Sequence, residues 1–314
     1  MDRWEASNAD ALGMALKEAG FQTSQLCCCR PSCFDFAARK GDEMVLVKIR
    51  SDVESFSIAE AHELRVIAGR VGAAALVVSG RSHDKPLEDD TVYSRHSVYV
   101  VTEKTLRNVA FETGFPLVNA GPGGYFVDVD GALVEYRRKE LGLSIGKLAE
   151  MVGVSRRTIY GYERNMAKAS VSSAYNLAKV LGIPVGKPVN VLRKRRKQRF
   201  CLLLRTKHAF AARAIIGRVF KKFAYCDISP VKKAPFDFVM NVPGEKCVII
   251  GAVLTSGEDR LDERTEELLS ISRVVNAHPL LITEKKEPFR NDVMCVSADE
   301  LTLMRSPLEL AAIR

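Results

Sequence analysis

The 314-residue chain lacks any uninterrupted apolar stretch near the roughly 18 residues that a membrane-spanning helix needs. Asp2, Arg3 and Glu5 come before any apolar run, an order that a secretory signal peptide does not have. The expectation is a cytoplasmic protein with no membrane partner. The chain also lacks a C-x-x-C pair. Four of its eight cysteines, Cys27, Cys28, Cys29 and Cys33, stand in one short arm with no histidine nearby, whereas zinc sites draw spaced ligands from two arms. No metal and no cofactor is therefore expected. The thiols read as reduced cysteines, with a redox-sensing role for Cys27, Cys28 and Cys29 left open. Acidic residues are nearly missing from one segment: between 193 and 233, fourteen Lys/Arg face Asp227 alone. Residues 135–192 are also basic, at +6, while 1–134 and 234–314 each carry −5. A basic centre of that size points to a polyanion, most simply phosphate.

What is present begins with length and hydrophobicity. A chain this long favours two or three domains, and 47% hydrophobic residues allow a sizeable core. Four segments recur in the same order. "GMALKEAGF" (13–21) resembles "GRVFKKFAY" (217–225), and "FDFAARKGDEMVLVKIR" (34–50) resembles "FDFVMNVPGEKCVIIGAV" (236–253). Residues 60–80 pair with 264–284, and 97–106 with 292–301. Each copy predicts an amphipathic helix, a hairpin turning at Gly41 or Gly244, a second helix and two short apolar strands. The β-branched run after each turn suits a strand buried on both faces. Each copy therefore reads as a small α/β sandwich with a mixed sheet.

A unit without counterpart lies between the copies. "GPGGYFVDVDG" marks a turn, a short strand and a second turn. The glycine cluster lacks a following Lys-Ser/Thr, so it predicts a plain turn and not a phosphate loop. "ALVEYRRKELGL" then has helical period, and "SIGKLAEMVGVSRRTIYGYERN" follows. Ser144 and Ser155 read as N-caps. Leu148, Ala149, Val152, Ile159 and Tyr162 share an inward face, and Gly153 supplies a left-handed helix stop. Small Ala149 lets two helices cross closely, the spacing of a helix-turn-helix. Residues 170–183 predict a further helix.

This segment resembles the Cro/repressor-like helix-turn-helix domains over about fifty residues. The resemblance implies that the second helix of the motif enters the major groove of double-stranded DNA. It implies base reading by Ser155, Arg156, Arg157 and Tyr160, an arginine being suited to guanine O6 and N7. Thr158, Ser144 and Lys147 would face phosphate, joined by Arg164 and by the "RKRRK" run Arg193, Lys194, Arg195, Arg196 and Lys197. Ile145 departs from the pattern, since many members carry glutamine there.

The flanking domains resemble the restriction-endonuclease or Holliday-junction-resolvase scaffold. That chemistry needs two carboxylates around a divalent metal and a lysine beside the attacking water. Asp35 suits the first position. Lys48 stands where the second carboxylate belongs, and Arg50 where the lysine belongs; a cation cannot ligate a metal. If the centre were live, Glu60 or Glu63 would have to supply the missing ligand, with Lys48 and Arg50 assisting Asp35. Asp35 with Lys48 and Arg50 reads better as an ion pair, the two cations being available to phosphate or an effector. In the second copy Asp237 remains, while Gly251 and Ala252-Val253 replace the rest.

Across residues 1–185 the chain resembles a family of archaeal HTH-type transcriptional regulators. The expected fold is α/β plus all-α. Two duplicated nuclease-like domains, 1–118 and 206–314, flank a four- to five-helix DNA-binding domain at 132–190, with linkers at 119–131 and 191–205. The expected function is a sequence-specific DNA-binding regulator, a homodimer without enzymatic activity, in which a small-molecule effector has no support in the sequence. A metal-dependent nuclease or junction-binding protein, targeted by its helix-turn-helix, is the alternative.

Overall fold

A computed structural model describes residues 3–194, 214–245, 247–254, 260–283 and 294–297, with positions 300, 303, 304 and 306. The chain divides into two compact units. One joins Met1–Val77 to Leu192–Arg314, and the other is Val78–Val191.

The first unit opens with α1 (Arg3–Glu18) and a short strand β1 (Gln22–Thr23). Leu12, Ala15 and Leu16 form the buried stripe of α1, as their helical spacing requires. The hairpin β2 (Phe36–Lys40) and β3 (Glu43–Arg50) follows. Lys40 pairs with Glu43, so the turn has two residues and Gly41 takes a φ of 59° there, a conformation open to glycine. The run Val45–Ile49 of β3 is buried throughout, so the continuous β-branched stretch is indeed a two-sided core strand. After a 3-10 turn (Val53–Ser55), α2 (Ile58–Val71) begins at a capping box between Ser57 and Glu60 and ends at left-handed Gly72. Strand β4 (Ala74–Ser79) closes this half, and the sheet runs β1-β2-β3-β4.

The second unit holds a small hairpin, β5 (Arg81–Ser82) with β6 (Lys85–Pro86), then β7 (Thr91–Arg95), β8 (Val98–Val101) and α3 (Glu103–Ala110). Strands β9 (Val118–Gly121) and β10 (Gly124–Val127) form a hairpin through Pro122-Gly123, so the glycine cluster is a turn. Helices α4 (Gly131–Glu140), α5 (Ile145–Val152), α6 (Arg156–Glu163) and α7 (Val171–Leu181) complete it, with β11 (Ala169–Ser170) before α7. The strand order is β8-β7-β9-β10-β11. Val134, Leu148, Ala149, Ile159, Tyr162, Leu177 and Leu181 share one core beneath the four helices.

Returning to the first unit, the chain forms α8 (Ala214–Lys222), β12 (Asp227–Pro230), β13 (Phe238–Asn241), β14 (Val248–Leu254), α9 (Leu261–Val275), β15 (His278–Thr283) and β16 (Met294–Ser297). Sheet order follows the chain, antiparallel through β14 and parallel from β14 to β16. Val219, Phe223, Phe238, Met240, Val253 and Ile282 form its core. The edge strands β1 and β12 and the strands between 81 and 95 carry no apolar period. Sequence patterning therefore missed them, and pairing to a neighbour defines them.

Gly131 sits where α4 meets the end of α6. A methyl group there would overlap the carbonyl oxygens of Tyr162 and Glu163, whereas one on Gly146 would meet only the movable end of Arg156. Denaturant unfolding should therefore show Gly131→Ala destabilised by about 1–3 kcal/mol through overpacking. Gly146→Ala should cost about 0.5 kcal/mol or less, because the arginine can swing away.

Candidate nucleic-acid interface

The helix-turn-helix is built by its caps. Ser144 Oγ accepts from the Lys147 amide at 3.1 Å, and Ser155 Oγ accepts from the Thr158 amide at 3.0 Å. Between them Gly153 takes a φ of 80° and donates to Ala149 O at 3.0 Å, ending α5 abruptly. Ile159, Tyr162 and Glu163 bury one face of α6. By helical geometry Arg157, Gly161 and Arg164 point the opposite way, with Tyr160 at their flank. Arg156, Arg157 and Arg164 are exposed, and Tyr160 is 49% exposed. The Arg164 guanidinium lies over the Tyr160 ring, 5.7 Å from its centroid.

Other candidate residues are less free. Arg156 folds back over Gly146 at the start of α5. Thr158 is half-buried and lies 2.8 Å from Ser155 Oγ, and Lys147 pairs with Glu150 at 3.1 Å. Arg193 pairs with Glu43 at 3.7 Å, and Lys194 donates to Gly69 O at 3.0 Å. Arg195, Arg196 and Lys197 lie outside the described residues.

Sequence reasoning passed over the group that fixes α6. Arg138 on α4 is buried and donates through Nε and Nη2 to both carboxylate oxygens of Glu163, at 2.5 and 3.1 Å. Its Nη1 donates to Leu143 O at 2.8 Å, one residue before the cap of α5. One planar guanidinium thus joins α4, the entry to α5 and the end of α6. The signal was available: Arg138 stands one turn after buried Val134, on the apolar face of its helix.

The nuclease-like frame is occupied by protein charges. Asp35 is 1% exposed and Lys48 3% exposed. Lys48 Nζ donates to Asp35 Oδ1 at 2.7 Å and to Ser32 O at 2.9 Å, and the Ile49 amide donates to Asp35 Oδ2 at 2.6 Å. Arg50 does not join that pair, against the sequence expectation. It stands on the same face of β3 as Lys48, but two residues further along it reaches Glu60 at 2.6 Å and Glu5 at 3.1 Å, carboxylates carried by α2 and α1. Neither cation is free for phosphate or an effector. Glu60 and Glu63 are engaged by other partners: Glu60 binds Arg50 and Ser57, and Glu63 accepts from the Lys232 and Lys233 amides. Burial alone would raise the Glu60 carboxyl, but hydrogen bonds from Ser57 and the Arg50 charge outweigh it and hold it low. That contribution is present at neutral pH and is lost as pH falls through the depressed value, below 4.5.

In the second half Asp237 Oδ2 accepts from the Val253 amide at 2.8 Å and from Arg264 Nη2 at 2.7 Å. Arg264 also donates to Pro235 O at 2.7 Å and is 1% exposed. Phe36 pairs with Val47, and Phe238 with Gly251, so Ala252 stands where Lys48 does and Leu254 where Arg50 does. This register corrects the sequence alignment, which set Gly251 and Ala252-Val253 there; hydrogen bonding, not residue likeness, fixes it. Among the described residues no group of three His, Cys, Asp or Glu side chains is arranged to hold a metal ion. No helix among them is long and apolar enough to cross a membrane. Cys27, Cys28, Cys29, Cys33, Cys226 and Cys247 form no disulfide. Burial, then the Glu267 carboxylate, pushes the Cys29 thiol up to about 12, and burial likewise raises Cys27, Cys28 and Cys33.

Fold and site together define a helix-turn-helix protein joined to a nuclease-type α/β domain. A helix-turn-helix family model matches residues 134–187, and a PD-(D/E)XK superfamily domain model matches 6–116. A protein of Methanocaldococcus jannaschii, named for an inferred role as an HTH-type transcriptional regulatory protein, is 33% identical over 89% of this chain and 87% of its own. A protein of Methanosarcina barkeri with the same designation is 31% identical over 94% and 92%. The chain belongs to this family of archaeal HTH-type transcriptional regulatory proteins. Among solved structures, the restriction-modification controller protein C.AhdI of Aeromonas hydrophila aligns at 32% identity over 17% of this chain and 80% of its own, with a TM-score of 0.17.

Two expectations follow. Arg138→Ala leaves Glu163 buried without its cation and should cost about 3–5 kcal/mol in denaturant unfolding; replacing both residues with apolar ones should cost less. Alkylation of Cys29 by iodoacetamide at pH 8, followed by peptide mass spectrometry, should run about a hundredfold or more slower than for free cysteine, because the thiolate is scarce.

Proposed function

We propose that the protein is a sequence-specific transcriptional regulator that reads duplex DNA in the major groove with α6. The observation that carries this is the outward face of that helix: Arg157, Tyr160 and Arg164 stand clear of the core while Arg138 holds the opposite face in place. Arg157 is the leading base reader, with Ser155, Arg156 and Tyr160 beside it. The amides at the start of α5, Ser144, Lys147 and Thr158 would seat one phosphate group, and Arg164 with the 193–197 run would add grip. The regulator names of the relatives support the same reading. A homodimer on two half-sites one helical turn apart fits this mode of reading, and its workplace would be the cytoplasm, at the chromosome.

The two α/β halves are read as copies of one unit around 1–118 and 206–314. Their shared strand order and the matched Asp35–Ile49 and Asp237–Val253 hydrogen bonds support this. They are also read as non-catalytic, because each aspartate is neutralised by a buried cation where a metal would need further carboxylates.

Footprinting with purified protein should show a short protected site whose affinity falls steeply with salt. Arg157→Ala should cost about 1–3 kcal/mol and relax preference at one base pair. Equal affinity for all sequences, or magnesium-dependent cleavage lost in Asp35→Ala, would defeat the proposal.

A further inference from the structure

We propose that the Asp35 and Asp237 ends of the two α/β halves have become docking surfaces for each other, one cooperative interface whose partner is the other half of the same chain. This deepens the non-catalytic part of the reading above and rests on it, but it makes no use of DNA binding.

The observation is a reciprocal exchange. Glu63 on α2 accepts from the backbone amides of Lys232 and Lys233, at 3.2 and 2.8 Å, in the segment that leads into Asp237. Glu267 on α9 accepts from the amides of Cys28 and Cys29, at 2.6 and 2.9 Å, in the segment that leads into Asp35. The two glutamates hold matching places, three residues after Glu60 and Arg264, on helices that follow the Asp-bearing hairpins. Further bonds cross the same seam. Arg30 reaches Asp237 at 3.0 Å, Lys233 Nζ lies 3.7 Å from Glu60, and the Cys33 amide donates to Lys233 O at 2.9 Å. The rings of Phe34 and Phe236, each just before its aspartate, stand 6.3 Å apart and are fully buried. Helix α9 lies against β2, and α2 against β13.

Each part of this exchange meets a physical need. Segments 28–33 and 231–235 lie outside the strands, so their amides need acceptors. A carboxylate taking two amides is a strong, charge-assisted acceptor. Each half lends that acceptor to the other. Glu267 takes both of its amides on Oε1 and leaves Oε2 without a hydrogen-bond partner, whereas Glu63 uses one oxygen for each amide, so the two locks differ in geometry. With both aspartates buried and the approach to each covered, a phosphodiester could reach neither without parting the halves. The seam also explains why chain ends separated by the helix-turn-helix insert fold into one compact unit.

Amide hydrogen exchange on the full-length protein, read by peptide mass spectrometry, tests the cooperativity. Glu63→Ala should speed exchange about tenfold or more in peptides covering 230–236, whose acceptor it removes. It should do the same in peptides covering 26–34, whose acceptor Glu267 is untouched. Glu267→Ala should do the converse, with 144–164 unchanged in both. Acceleration confined to the segment that lost its own acceptor, or none at all, would overturn the proposal. If Glu63→Ala fails to fold, Glu63→Gln keeps one acceptor oxygen and carries the same comparison with a smaller factor. A cleavage assay with magnesium, run alongside, keeps the two readings apart: uncoupled exchange without cleavage sinks the docking and spares the non-catalytic reading.

Discussion

A carboxylate taken out of water must find a cation or a set of amide donors, and this requirement organises both units of the protein. Lys48 meets it for Asp35, Arg264 and Arg30 for Asp237, Arg138 for Glu163, and the Cys28 and Cys29 amides for Glu267. Removing a partner from such a site leaves an uncompensated charge in a poor solvent, a far larger loss than a surface ion pair carries. The placement of these few groups therefore decides which surfaces stay closed and which helix is held fixed.

The same chemistry gives the two units opposite characters. In the helical unit the buried guanidinium of Arg138 faces inward and leaves the far side of α6 bare, with arginines and a tyrosine in water. A rigid helix whose polar side chains are not already committed is suited to bind a phosphate-lined groove. In the α/β unit the cations are spent on the protein's own carboxylates, and two helices cover the segments that lead to the aspartates. The Asp35 and Asp237 carboxylates of this frame are paired with the protein's own cations. Residues 135–192, which hold most of the helical segment, carry a net charge of +6, which fits this division.

The cysteine cluster follows from the seam as well. Cys28 and Cys29 lend their amides to Glu267, and the same burial and carboxylate keep the thiols protonated. Those residues hold a loop in place through backbone groups that any side chain would offer. The Cys29 thiol adds a contact of its own, 3.8 Å from Glu263 Oε2.

By itself the sequence determined what depends on near neighbours along the chain. The caps Ser144 and Ser155, the left-handed stops at Gly153 and Gly72, the turn at Gly41, the buried β3 run and the inward faces of α5 and α6 all follow from local spacing and backbone preference. So does the pairing of Asp35 with Lys48, because a strand's period fixes which residue can stand there. Tertiary structure decided where long side chains end. Arg50 carries the same charge as Lys48 and lies two residues away, yet it binds Glu5 and Glu60, since only the packed helices α1 and α2 say which carboxylates lie within reach. The edge strands β1 and β12 and the meeting of Glu63 with residue 232 or of Glu267 with residue 28 depend on contacts 169 to 239 residues apart or on a neighbouring strand. No local pattern encodes those, because the energy that selects them exists only once the chain has closed on itself.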